Sequence, residues 1–309
     1  MKMNVLNQAN GKNWTAYNAD CVDVVSSLPD NSIGFSVFSP PFASLYTYSD
    51  STHDMGNVRD DAEFFAQFDW LVKELLRVIK PGRIVAFHCM NLPTTKERDG
   101  FTGMKDFRGD LIRAFQKWGF IYHSETCIWK DPLVAATRTK AIGLLHKQLC
   151  KDSTVSRCGI PDYLIAMKKP GENPEPVAHE NGLTDFIGEN PPTGGVLSHQ
   201  IWRRYASPVW MDIDPSRTLQ GNGAREEDDE RHICPLQLQV IDRALTLWSN
   251  KGDVVLSPFM GIGSEGYESL KMERKFIGVE LKASYYDLAI RNLREAETIN
   301  EESDLFGCE

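Results

Sequence analysis

The chain has no long apolar run. Nowhere in its 309 residues do the ~18 consecutive apolar residues of a membrane span occur. The opening stretch, MKMNVLNQANGKNW, lacks the apolar core of a secretion signal. Cysteine is scarce and scattered. The seven, at positions 21, 89, 127, 150, 158, 234 and 308, form no CxxC pair and no metal-ligand spacing. These absences exclude a zinc ribbon or a disulfide framework and predict a soluble, cytoplasmic protein without a metal. Positive charge is also in deficit, with 34 basic against 43 acidic residues and a net charge of -9, which by itself disfavours a nucleic-acid partner. The deficit is not uniform. Between 138 and 169, Arg138, Lys140, Lys147, Lys151, Arg157, Lys168 and Lys169 face only Asp152 and Asp162, so an acidic protein still carries a basic stretch. No internal repeat is present.

What is there alternates between two periodicities. Trp14-Thr-Ala-Tyr17 reads as a strand, Cys21 to Leu28 as a short helix, and Ile33 to Phe38 as a buried parallel strand that stops at Ser39-Pro40-Pro41-Phe42. From Asp60 to Ile79, Phe64, Phe68, Leu71, Val72, Leu75 and Leu76 recur at helical spacing, and Pro81-Gly82 closes the helix. A strand over Ile84–Cys89, a helix over Asp106–Trp118 and a strand over Phe120–Trp129 follow. Residues 131–231 are loop-rich, with one strand at Tyr163–Met167. From Pro235 the alternation returns as helix, strand (Asp253–Leu256), glycine turn, helix from Ser264, strand (Lys275–Glu280) and helix from Ala283. Such alternation predicts an α/β fold with a doubly wound, mostly parallel sheet.

Two motifs carry chemistry. Ser257-Pro-Phe-Met-Gly261-Ile-Gly263 links a strand to a helix through bare glycines, which let a ligand approach the backbone. The next strand ends in Glu280, where doubly wound folds place a carboxylate against ribose hydroxyls. GIGSEG also fits the GxGxxG spacing, so this motif alone leaves a dinucleotide oxidoreductase open. The second motif, Ser39-Pro40-Pro41-Phe42, offers a hydroxyl, a stiff carbonyl and an aromatic ring at one strand end. That set suits a flat base bearing an amino group: the acceptors draw on the exocyclic NH2 and the ring of Phe42 stacks on the base.

SPPF, followed by HICPLQLQVIDRALTLWSNKGDVVLSPFMGIGSEG and FIGVELKASYYDLAIRNL, resembles the β-group DNA amino-methyltransferases, in which the catalytic tetrapeptide precedes the cofactor motif. The resemblance implies a class I methyltransferase sheet and S-adenosyl-L-methionine as cofactor. It implies catalytic roles for Ser39, Pro40, Pro41 and Phe42. Cofactor contacts are expected from Asp20, Cys21, His232, Pro235, Ser257, Phe259, Met260, Gly261, Gly263, Ser264 and Glu280. Asp20 also reads as a helix cap, and Ser257 departs from the aspartate many members carry there. The implied division is a catalytic half over 1–130, an inserted target-recognition region over 131–231, a cofactor half over 232–296 and an acidic flexible tail over 297–309.

Transfer to a base in a duplex requires flipping the base out, and hence a basic face for phosphates. Arg138, Lys140, Lys147, Lys151, Arg157 and the run Trp202-Arg203-Arg204-Tyr205 are the candidates. Cytosine N4 is favoured over adenine N6, because a Ser-headed loop in that family goes more often with cytosine. RNA stays open as a substrate, as does a catalytically inactive DNA-binding fold. Direct in-line transfer is expected, with no covalent intermediate and no general-base histidine. Asp304-Leu305-Phe306 resembles the acidic-Leu-Phe peptides that dock on sliding clamps.

Overall fold

The computed structural model describes residues 5–41, 55, 61–139, 143–179, 182–183, 196–220 and 235–306. In chain order, β1 (Val5–Asn10), β2 (Trp14–Ala19) and α1 (Cys21–Ser27) precede β3 (Phe35–Phe38), α2 (Asp61–Val78) and β4 (Ile84–Met90). A small hairpin of β5 (Leu92–Thr94) and β6 (Gly103–Lys105) encloses α3 (Lys96–Asp99). Next come α4 (Phe107–Lys117), β7 (Ile121–Ile128), α5 (Pro132–Thr139), α6 (His146–Leu149), β8 (Asp162–Lys168), α7 (Val196–Tyr205) and β9 (Val209–Trp210). The last group is α8 (Leu238–Trp248), β10 (Val254–Ser257), α9 (Ser264–Lys271), β11 (Lys275–Glu280) and α10 (Ala283–Phe306).

Nine strands form one sheet in the order β1-β2-β11-β10-β3-β4-β8-β7-β9. The inner five, β2 to β4, are parallel, as their near-continuous apolar runs require. Helices cover both faces. Val24 and Val25 of α1, the Phe64/Phe68/Leu71/Leu75 stripe of α2 and Phe115 of α4 pack with Phe38, Phe87 and Leu256. On the other side Val240 and Ile241 of α8, Leu270 of α9 and Leu293 of α10 pack with Phe35, Val37 and Val255. The alternation of Phe35/Val37 with Phe38 across the two clusters is the period-2 signature of a strand buried on both faces.

Chain direction creates the important place. From β3 the chain passes through α2 to β4 on one side, and from β10 through α9 to β11 on the other, while β3 and β10 are neighbours. Crossovers that leave adjacent parallel strands in opposite directions open a crevice at the strands' carboxyl ends. At the opposite end, Arg83 at the head of β4 pairs with Asp253 before β10, both buried.

The expected boundaries at 131 and 231 do not separate an insertion from the core. β8 lies inside that range yet stands mid-sheet, antiparallel to both β4 and β7, because its Leu164-Ile-Ala-Met167 run is fully buried. In the stretch expected as a tail, α10 continues through Phe306 with no proline or glycine to stop it. One turn of it is anchored, since Glu297 accepts from Lys12 N (2.6 Å) and Trp14 Nε1 (3.3 Å) at the β1–β2 turn. The clamp-like residues 304–306 are therefore helical in backbone, and their side chains lie outside the described residues. No helix among the described residues is long and apolar enough to cross a membrane.

Candidate active site

The two motifs of the sequence meet at the β3–β10 junction. Register aligns Val255 with Phe35 and Leu256 with Ser36, and the buried Ser36 Oγ donates to Leu256 O at 2.8 Å. Beyond the last pair, the rings of Phe38 and Phe259 lie 5.7 Å apart between centroids. Ser39-Pro40-Pro41 leaves β3 at the same end of the sheet at which Ser257-Pro258-Phe259 leaves β10. Pro40 is buried and Ser39 half-buried; Phe42 lies outside the described residues.

The glycine turn is shaped by its backbone. Gly261 (φ 53°) and Gly263 (φ 89°) both occupy the left-handed region that a side chain disfavours. A Cβ on Gly261 would meet nothing within 4 Å, so that side of the turn is open. Gly266 closes the other side: a Cβ there would lie 2.4 Å from Leu293 and 2.6 Å from Phe276, so α9 sits tightly on β11 and α10. Gly261 N donates to Glu280 Oε2 at 2.9 Å and Lys282 N to Glu280 Oε1 at 2.8 Å. A carboxylate has about four lone-pair sites, room for more than these two donors.

Buried polar atoms around this turn point to a missing partner. Ser257 Oγ and Ser264 Oγ are buried with no hydrogen-bond partner among the described residues, a costly state unless a ligand completes them. Glu265, 4% exposed in the first turn of α9, is pushed up to about 8 by burial, with Glu280 adding to the rise and its own backbone N–H opposing it. An open glycine turn, unpaired hydroxyls and a carboxylate at the neighbouring strand end fit a nucleoside ligand with polar groups at its other end.

Other expected residues divide. Asp20 caps α1, accepting from Val22 N at 2.7 Å, and stands at the carboxyl end of β2. There Asn18 Nδ2 donates to Glu280 O and Leu281 O, both at 2.8 Å. Cys21 is buried, and burial first, then the nearby Asp20, holds its thiol well up. Met260 is a correction: its side chain is core, with Sδ 2.4 Å from where a Cβ on Gly278 would lie, so only its backbone belongs to the turn. Pro235 precedes α8, and His232 lies outside the described residues. A cavity of about 180 Å³ lined by Gly82, Arg83, His123, Lys168 and Trp248 opens at the opposite end of β4, away from both loops.

Of the expected DNA-facing residues, Lys147, Lys151, Trp202 and Arg203 are exposed and Arg157 is half-buried. Arg204 pairs with Asp212 at 3.1 Å. Tyr205 is a correction: it is 6% exposed, its hydroxyl lies 3.2 Å from Asp242, and it shares the inward face of α7 with the buried Ile201 four residues earlier. Lys140 and the side chain of Arg138 lie outside the described residues. Sequence reading missed Arg243, which is buried, grips Asp212 through both terminal nitrogens (3.0 and 2.8 Å) and stacks on Tyr205 and Trp210.

It also missed His88. Its Nδ1 is 3.2 Å from Ser39 Oγ, and its Nε2 is 3.1 Å from Asp162 Oδ2, an ion-pair distance off the line of a good hydrogen bond. Lys130 binds the other oxygen of Asp162. Burial raises the Asp162 carboxyl, and His88 and Lys130 together outweigh burial and hold it below its ordinary value. The signal available in sequence was the single His within IVAFHCM, a polar residue in an otherwise apolar strand.

Comparison with known proteins gives a consistent result. The N6/N4 family model, described as DNA methylase, matches residues 33–291. The orphan methyltransferase M.BamHII of Bacillus amyloliquefaciens is 43% identical over 272 residues, covering 87% of this chain and 91% of the relative. The type II methyltransferase M1.MboII of Moraxella bovis is 36% identical, covering 90% and 95%. Against the longer M.BamHI of Bacillus amyloliquefaciens, identity is 26% and the chain spans 54% of the relative's length. Among solved structures, the cytosine-N4-specific PvuII DNA methyltransferase aligns with a TM-score of 0.62 at 15% identity, covering 96% of this chain and 95% of that one. A Thermus thermophilus protein complexed with S-adenosyl-L-methionine aligns with a TM-score of 0.60 at 20% identity, covering 90% and 93%.

Proposed function

The chain belongs to the N6/N4 DNA methylase family, and from that premise we propose that it methylates the exocyclic amino group of a base flipped out of DNA, cytosine N4 being favoured. One observation carries the reading: the Ser39-Pro40-Pro41 loop and the Gly261–Gly263 turn leave adjacent parallel strands at the switch point of the sheet, bridged by Phe38 and Phe259. S-adenosyl-L-methionine supplies an electrophilic methyl group when bound.

The protein's part is placement. Glu280 at the end of β11 holds ribose hydroxyls through its carboxylate, and the bare face of Gly261 admits the ligand to the backbone. Ser257 and Ser264 hydroxyls complete the polar end. Ser39 Oγ and the Pro40 carbonyl accept from the two amino N–H groups, so the nitrogen lone pair leaves conjugation and points at the methyl carbon. Two rigid strands converging on one crevice make the encounter effectively intramolecular. Lys147, Lys151, Trp202 and Arg203 offer charge and one aromatic face to the phosphate backbone.

Unmethylated DNA incubated with methyl-labelled S-adenosyl-L-methionine, then digested to nucleosides and resolved by mass spectrometry, tests this directly. Label on N4-methylcytosine is the expected result. Label on N6-methyladenine keeps the geometry and reassigns the base, whereas label on RNA alone, or none, overturns the reading.

A further inference from the structure

The Ser39–His88–Asp162 chain has a geometry that hydrogen-bond acceptance by Ser39 alone does not require. Amino-group methylation releases a proton. When the nitrogen bonds to the methyl carbon and the methyl–sulfur electron pair goes to sulfur, the nitrogen is left with two protons, the methyl group and a positive charge. One proton must leave. Of the two acceptors assigned to the amino group above, Ser39 Oγ has a ring nitrogen behind it at 3.2 Å.

Resting on the functional reading above, we propose that His88 is the positioning residue and proton acceptor of this site, acting through Ser39 and held in register by Asp162. Asp162 beside Nε2 favours the tautomer protonated there, which leaves Nδ1 free to accept from the serine hydroxyl. The Ser39 lone pairs then face the substrate amino group. As the aminium loses its proton to Ser39 Oγ, the serine passes its own proton to Nδ1. The products are a methylated neutral amine, a neutral thioether and an imidazolium paired with the Asp162 carboxylate, so charge and protons balance.

The fold supports each link. Strand alternation puts His88 on the face of Ile84 and Ala86 at the carboxyl end of β4, next to the strand that carries Ser39. β8 runs antiparallel there, so that Asp162, at its first position, arrives beside the crevice with 3% exposure. Among the described residues, the charged groups facing this chain are Asp162 from β8 and Lys130 from the segment after β7. On the opposite face of β4, the neighbouring Cys89 feels Asp162, Arg108 of α4 and Glu125 of β7. Lys130 neutralises part of the Asp162 charge, which orients the carboxylate as a fixed holder of the ring.

The test is the pH dependence of single-turnover methyl transfer to DNA. The wild type is expected to lose rate on acidification, because a protonated Nδ1 no longer accepts. His88→Asn keeps a polar neighbour for Ser39 but cannot take a proton. It is expected to slow transfer by about 10²-fold at neutral pH, to abolish the acid limb, and to leave cofactor binding and the unfolding midpoint near the wild-type values. Asp162→Asn is expected to shift the limb rather than abolish it. A wild-type rate that does not fall on acidification, or an acid limb that persists in His88→Asn, overturns the proposal whether or not the variants are stable. If wild-type protein transfers no label to DNA, the functional reading fails first and this one with it. If label is transferred and His88→Asn matches wild type, only the relay fails.

Discussion

The β3–β10 junction and the flank built from α7 and β9 are held by different means. At the junction every side chain from Phe35 to Phe38 and from Val255 to Ser257 is buried, on two faces, with backbone pairing between them. On the flank, Trp202 is 58% exposed and Met211 67%, and β9 meets the sheet through only two residue pairs with β7. One buried arginine fastens it: Arg243 of α8 reaches Asp212 with two hydrogen bonds and lies against Tyr205 and Trp210. On the proposed function, positions that fix reacting atoms are over-determined, while those that would touch DNA are spread over a surface where each contact contributes little.

That contrast is open to test from both sides. The largest effect should come from the fastener. Arg243→Ala removes two hydrogen bonds to Asp212, which keeps Arg204 as a partner, and is expected to destabilise the fold by about 1.5–3 kcal/mol, read as a lower urea midpoint. An unchanged midpoint would mean that the flank is held by something else. Ser39→Ala is expected to lower turnover by about 10²-fold, on the scale of losing one preorganised hydrogen-bonding group. Calorimetric cofactor affinity should hold steady, and equal loss of both would blur the division between the two loops. Glu265→Gln probes the junction's hidden charge. With its carboxyl at about 8 in the folded protein against an ordinary 4.5, the folded state keeps a proton that the unfolded chain releases. Stability therefore falls as pH rises between those values. The variant should lack that fall, a difference on the order of a few kcal/mol between melts at about pH 5 and about pH 9. Identical slopes would place the carboxyl in contact with solvent. The smallest effect belongs to the flank. Arg203→Glu is expected to weaken DNA binding several-fold at low salt and to reduce the salt slope by about one, with turnover at saturating DNA retained.

The sequence exposed what repeats and hid what is unique. The α2 stripe, the buried β3 and β10 runs and the GIG turn follow from periodicity and from glycine's tolerance of positive φ, and all stand where their patterns predicted. β1 was illegible because its side chains are mostly exposed, so no alternation marks it as a strand. β8 was legible as a strand but not as a member of the core, since its partners β4 and β7 are known only from three-dimensional pairing. In the site, Ser39 and Glu280 were named from motif chemistry. His88, Asp162 and Glu265 belong to no local pattern: His88 is a lone polar residue in an apolar strand, Asp162 opens another, and Glu265 is one of several polar residues of α9, and only the fold tells which neighbours each faces. Tyr205 failed for the converse reason, because a run of alternating cations and aromatics says nothing about which of them a helix turns inward.

The pairing of Phe35 with Val255 joins stretches of chain that are made far apart in time. At about 5–20 residues per second on the ribosome, the Ser39 loop exists for on the order of ten seconds or more before the strand that completes its crevice has been synthesised. Until then β3 has β4 on one side and bare edge on the other, and such non-local pairing forms slowly because a long loop must close first. A chain interrupted anywhere before β10 therefore holds the Ser39 loop without the glycine turn, and the crevice forms in a single step, when the late strand slots in beside the early one.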